Sequence, residues 1–156
     1  MTEPATAQDV KRLLDGVKTA MLTTPDERGT LSARPVTIQQ ITDVGDLWFL
    51  VDAQADWVRP TSSGPINAAI VDGNDVWISF AGRAELDASQ ARIDELTDPM
   101  SDAFFGPDAE PIALRVATDR IEWWTAAGKL TQVLEIAKAK LTGSTPDIGS
   151  SGTIEV

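Results

Sequence analysis

The sequence predicts a mainly β domain: six or so antiparallel strands with hairpin turns and short helices, closing as a barrel or a sandwich. Three observations carry this. Strand-length apolar or β-branched segments recur between residues 19 and 125, punctuated by Gly, Pro, Asp and Asn. Helical periodicity with an apolar face stands near the two ends of the chain. No internal repeat, low-complexity block or linker interrupts it, so residues 1–156 read as one domain.

The chain opens on a helix over about residues 7–18. Val10, Leu13, Leu14 and Val17 share one helical face, and Thr6 with Asp9 forms a capping pair. Thr19–Thr24 and Thr30–Ile41 form a hairpin around Pro25–Gly29. Pro35 lies within the second of these strands and cannot donate to a ladder, which predicts an edge, a bulge or a ligand-facing break. Asp46–Asp52 is an almost continuous apolar strand, buried on both faces.

Ala53–Gly64 is a connector with a short helix around Ala55–Arg59, ended by Pro60. Pro65–Asp72 and Asp75–Asp87 are strands joined at Gly73-Asn74, with Gly82 marking a bulge or a close backbone approach. A short polar helix (Ala88–Leu96) and a proline-rich loop (Thr97–Pro111) follow. Ile112–Ala117 and Arg120–Thr125 make a last pair of strands. The barrel portion thus spans about 19–127, and residues 128–156 hold a helix and a tail. The helix is Lys129–Leu141 with Gly143 as its C-cap, and the tail is loosely held until Thr153–Val156.

Composition excludes several chemistries. Hydrophobic residues at 42% and charged residues at 24% are ordinary globular values. The chain has no Cys, His or Tyr, which removes thiol chemistry, histidine acid–base catalysis and the usual zinc sites. No catalytic side chain and no metal site is assigned, and the acidic pairs beside turns are read as solvated turn residues. A net charge of −11 opposes nucleic acid and anionic membrane surfaces. No membrane span or secretory leader is recognisable, so the expected location is cytoplasmic.

Several segments, taken in order, resemble the general stress protein branch of the pyridoxamine 5′-phosphate oxidase-like FMN-binding split barrels. They are Met21-Leu22-Thr23-Thr24, Gly29–Val36 with its Arg34-Pro35 step, Leu47-Trp48-Phe49-Leu50, and Asp98-Pro99-Met100 with Phe104–Pro107. Ile121–Trp124 and the closing Gly152–Val156 complete the series. The resemblance implies a six-stranded split barrel and a cytoplasmic homodimer that binds FMN where its two chains meet. It implies a flavoprotein, with oxidoreductase chemistry supplied by the flavin itself. By position, Arg34, Pro35, Val36 and Thr37 border the flavin, Phe49, Leu50 and Val51 lie beneath it, and Trp124 contributes near the ring.

The same comparison exposes a departure. Where such proteins carry a threonine, a serine and a lysine for the FMN phosphate, this chain has Val51, Ala55 and Trp57. Each charge-assisted donor is worth about 1.5–3 kcal/mol. Losing three weakens FMN binding by several powers of ten, at about 1.4 kcal/mol per tenfold. Asp52 and Asp56 add repulsion, Arg34 or Arg59 offers compensation, and Trp57 is read as filling the phosphate space. Three readings stand: an FMN-binding protein of oxidoreductase type, a non-enzymatic split-barrel dimer that binds another ligand or a partner, or a protein that holds a different, less phosphate-dependent cofactor in the same groove. The substrate is not readable from the sequence.

Overall fold

A computed structural model describes residues 5–73, 76–125 and 150–156. The predicted Lys129–Leu141 helix, its Gly143 cap and most of the tail lie outside these residues, as do Asn74 and Asp75. The elements are α1 (Ala7–Leu13), β1 (Thr19–Pro25), β2 (Leu31–Ile41), β3 (Leu47–Asp52) and α2 (Val58–Thr61). They continue with β4 (Pro65–Asp72), β5 (Val76–Asp87), α3 (Gln90–Leu96), α4 (Pro99–Phe104), β6 (Pro111–Thr125) and β7 (Ser150–Glu155).

Strand order is β3-β2-β1-β4-β5-β6, and β3 also pairs antiparallel with β6, which closes a six-stranded barrel. The choice between barrel and sandwich is thereby settled for the barrel. β7 is an added strand. It pairs with the second half of β6, Arg120–Thr125, beyond the stretch that β3 occupies.

Alternation fills the interior. Leu22, Leu47, Phe49, Phe80, Leu114, Val116 and Ile121 point inward and are fully buried. Each large apolar side chain removed from water contributes roughly 1.5–3 kcal/mol. Trp48 faces outward but is covered, packing with Leu96 of α3 and Ala113. Arg92 and Arg115 stack over its ring, with guanidinium carbons 4.4 and 6.0 Å from the ring centroid.

Four local expectations are corrected. The first helix stops at Leu13, because Leu14 is its C-cap and Gly16 turns the chain at φ +86°. Pro60 lies inside α2 rather than ending it; it stands in the first turn of the helix, where an N–H has no partner within the helix, so its missing one costs little. Thr97–Pro111 is not all loop: Asp98 and Ser101 form a capping box, Pro99 opens the helix, and α4 results. The last pair of strands is one strand, β6, of 15 residues.

β6 stays continuous because its irregularity is taken up on the pairing with β5. The register shifts between Ala81 and Gly82, where Gly82 faces Thr118. A Cβ on Gly82 would lie 2.1 Å from the Ala117 carbonyl oxygen, so only glycine fits this approach. Asp46 secures the same place from the other side. It accepts from the Thr118 amide at 3.0 Å and faces the Arg115 guanidinium at 3.1 Å.

Candidate functional site

The barrel wall opens between β2 and β3. These strands pair only at Ile38–Phe49, Gln40–Trp48 and Ile41–Leu47, with Gln39 as the extra, bulged residue. Towards its start β2 pairs with β1 alone, and Pro35 stands there, opposite Met21. Pro35 has no amide hydrogen to offer a ladder, so it belongs where the wall comes apart. Of the outcomes its position suggested, an edge stands at Pro35 itself, and a bulge follows four residues on at Gln39.

A groove of about 270 Å³ lies over this opening. Pro35, Val36, Thr37 and Gln39 of β2 line one side, and Leu50, Val51 and Asp52 of β3 line the other. Ala55 and Trp57 of the following connector, with Ser101, Phe104 and Phe105 at α4, complete the rim. Phe104 is 72% exposed, an unusual position for so large an apolar side chain. The capping box fixes the start of α4 and so places these rings. Asp98 accepts from the Ser101 amide at 2.7 Å, and this bond holds the Asp98 carboxyl below its ordinary range.

The sequence-selected residues other than Arg34 divide into three groups. Pro35, Val36, Thr37, Leu50, Val51, Ala55 and Trp57 are brought together at the groove. Phe49 is fully buried in the barrel interior and is a core residue. Trp124 pairs with Trp77 and Ser151 at the far end of β6, away from the groove within one chain. Gln39, Ser101, Phe104 and Phe105 were not selected. The capping signature and the paired phenylalanines were visible in the sequence, but a bulge at Gln39 leaves no mark there.

Arg34 does not line the groove but stands against Trp57 at one end of it. Its guanidinium donates to the Thr24 hydroxyl at 2.8 Å, the Leu22 carbonyl at 3.4 Å, and the Ser32 hydroxyl and carbonyl at 3.0 and 3.2 Å. It also lies 4.3 Å from the centroid of the Trp57 ring, a cation–π distance. Desolvation lowers its pKa, although an arginine keeps its charge at any physiological pH. Trp57 is tied down as well, because its carbonyl accepts from the Thr61 hydroxyl at 2.6 Å. Arg34 and Trp57 therefore cap each other at one end of the groove.

A flavin can be tested against these residues. A flat ring fits an apolar wall of Pro35 and Leu50 with Phe104 and Phe105 beside it. A phosphate at Val51, Ala55 and Trp57 does not fit. Val51 and Ala55 carry no donor, Trp57 lies under Arg34, and the charged lining residue is Asp52, an anion. Asp52 is itself engaged, accepting from the Gln54 and Glu110 amides at 2.9 and 3.2 Å.

The closed six-stranded barrel with a parted wall defines the class, a split barrel. Residues 5–147 match the family model described as Pyridoxamine 5′-phosphate oxidase like, and the chain belongs to that family. Among solved structures it is similar to a protein assigned as general stress protein 26 from Jannaschia sp. CCS1. The identity is 26%, the alignment covers 95% of this chain and 96% of that one, and the TM-score is 0.67. It is also similar to the general stress FMN/FAD binding protein from Xanthomonas citri, at 25% identity over 80% of this chain and 92% of that one, TM-score 0.66. A heme binding protein from Mycobacterium smegmatis shares the fold, at 17% identity over 88% of this chain and 62% of that one, TM-score 0.64. No curated protein matches the sequence. No described helix is long and apolar enough to cross a membrane.

Proposed function

We propose that this chain is a split-barrel protein whose β2–β3 groove binds a flat heteroaromatic ring, of which the flavin ring is the reference case, without the family's grip on a phosphate. The lining of the groove carries this reading: apolar on its wall, aromatic on its rim, and without a cation. The similarity to an FMN/FAD binding protein supports the ring, and Val51, Ala55 and Trp57 oppose the phosphate. The protein acts in the cytoplasm as a homodimer. Val71, Trp77 and Trp124 are cross-strand neighbours on the outside of the barrel, 65%, 39% and 43% exposed, and Met21 at 43% lies beside Pro35. Such an apolar face supports self-association, with the partner chain completing the groove.

The test is a titration with riboflavin and FMN after purification. The protein is expected to emerge colourless and to quench riboflavin fluorescence on binding. Restoring Val51→Thr, Ala55→Ser and Trp57→Lys together should raise FMN affinity relative to riboflavin at least about tenfold, or about 1.4 kcal/mol. No rise would sink the idea that the phosphate cradle is the missing part. Light scattering on wild type and on Trp77→Asp tests the dimer, the variant being expected to run as a monomer.

A second reading, an FMN-dependent oxidoreductase, is favoured by the Xanthomonas citri structure. A yellow protein as isolated, able to oxidise a reduced nicotinamide, would establish it over the first.

A further inference from the structure

Among the described residues that line the β2–β3 groove, only Asp52 is charged. It stands half-buried at the end of β3. Its Oδ1 accepts from the Gln54 and Glu110 amides at 2.9 and 3.2 Å, so two backbone groups hold the carboxylate in place. Its Oδ2 accepts no hydrogen bond, and Asp52 forms no ion pair, among the described residues. Removing a charge from water without an opposite charge beside it is costly. A positioned carboxylate in a groove that holds no cation therefore favours a ligand that brings one.

The rim supplies the matching chemistry. The face of an aromatic ring attracts a cation, and more strongly where water is excluded. This chain uses the contact twice on its own arginines, Arg92 over Trp48 at 4.4 Å and Arg34 over Trp57 at 4.3 Å. Arg34 does not neutralise Asp52: its donors are engaged by Thr24, Leu22 and Ser32, and it covers Trp57 at one end of the groove. Phe104 and Phe105 differ from Trp57. They line the groove with no cation stacked on them among the described residues, and Phe104 is 72% exposed. The net charge of −11 adds a field that draws cations toward the surface.

We propose that the groove selects a flat ring that carries a positive charge, a cationic heteroaromatic of the pyridinium or acridinium class. Its charge lies against Asp52, and its ring is bordered by Phe104 and Phe105. The proposal rests on the ring-binding reading and deepens it by fixing the charge of the preferred ligand. The same carboxylate that opposes a phosphate becomes the residue that sets specificity.

Fluorescence titrations of the full chain with N-methylacridinium and with acridine, at neutral pH and low salt, test this. The two probes differ by a methyl group and a fixed positive charge. Wild type is expected to bind N-methylacridinium about tenfold more tightly than acridine, or about 1.4 kcal/mol, and added salt should shrink the difference. In Asp52→Asn, which keeps an oxygen for the Gln54 and Glu110 amides, the ratio of the two affinities should fall to about one. Asp119→Asn removes an equal charge at an exposed position of the β5–β6 wall and should leave the ratio as it is. Equal or tighter binding of acridine by wild type overturns the cation preference and leaves the ring groove standing. A preference that survives in Asp52→Asn, or that Asp119→Asn reduces as much, also overturns it by tracing it to the charge of the whole chain. If neither probe binds, the proposal falls; if riboflavin fails to bind as well, the ring-binding reading falls with it.

Discussion

The two walls of this barrel are built from similar residues and behave differently. β5 pairs with β6 along its whole length, Val76–Asp87, and passes its one irregularity by using Gly82. β2 pairs with β3 only near one end, with a bulge at Gln39 and a proline where the pairing is lost. The first wall satisfies its backbone internally and presents no opening. The second leaves a parted edge, and the side chains there become a groove. A strand that fails to zip is a defect for stability and the condition for a site.

Substitutions can break this contrast or sharpen it. The largest effect should come from neighbours on β3. Phe49→Ala empties a fully buried ring position and should cost about 4 kcal/mol in chemical denaturation. Leu50→Ala, one residue on and facing the groove, should cost less than about 1.5 kcal/mol and instead weaken riboflavin binding. Next in size is Gly82→Val, which drives a side chain into the Ala117 carbonyl and should lower stability by about 3 kcal/mol without a specific effect on ligand. Asp46→Ala leaves the buried Thr118 amide without its acceptor, a loss of about 2 kcal/mol visible as a lower melting temperature.

How much of this was legible in the sequence follows the same division. Strands on the zippered wall announce themselves, because alternation and turn residues are local, and Gly82 signalled the close approach. The groove was legible where a residue carries its own constraint. Pro35 marks the break because it lacks a donor, and Val51, Ala55 and Trp57 stand out as the wrong chemistry for a phosphate. Phe49 was misleading, since adjacent residues of a strand face opposite ways and resemblance by position does not say which one is inside. The Arg34–Trp57 stack was not legible either: it joins residues 23 positions apart, and only the fold brings them within 4.3 Å. Gln39 became visible only with the register.

The smallest effect is a pH dependence that reaches the groove's rim. The bond from the Ser101 amide lowers the folded-state pKa of Asp98. A lowered carboxyl pKa stabilises the fold above its unfolded value, and that contribution is lost as pH falls through the folded value. Acidification below the ordinary carboxylate range should therefore loosen α4, and with it the entry to α3, where the Ser89 hydroxyl and amide hold the Asp87 carboxyl low. Amide exchange at Phe104 and Phe105 should rise there while exchange on β5 and β6 does not.

The central claim is that the parted β2–β3 wall is where a ring ligand binds. Amide chemical-shift mapping of the full chain with riboflavin tests it most directly. The largest shifts should fall at Val36, Thr37, Gln39, Leu50, Phe104 and Phe105, with little change around Gly82 and Thr118. Largest shifts on the β5–β6 wall, or none at saturating riboflavin, would contradict it.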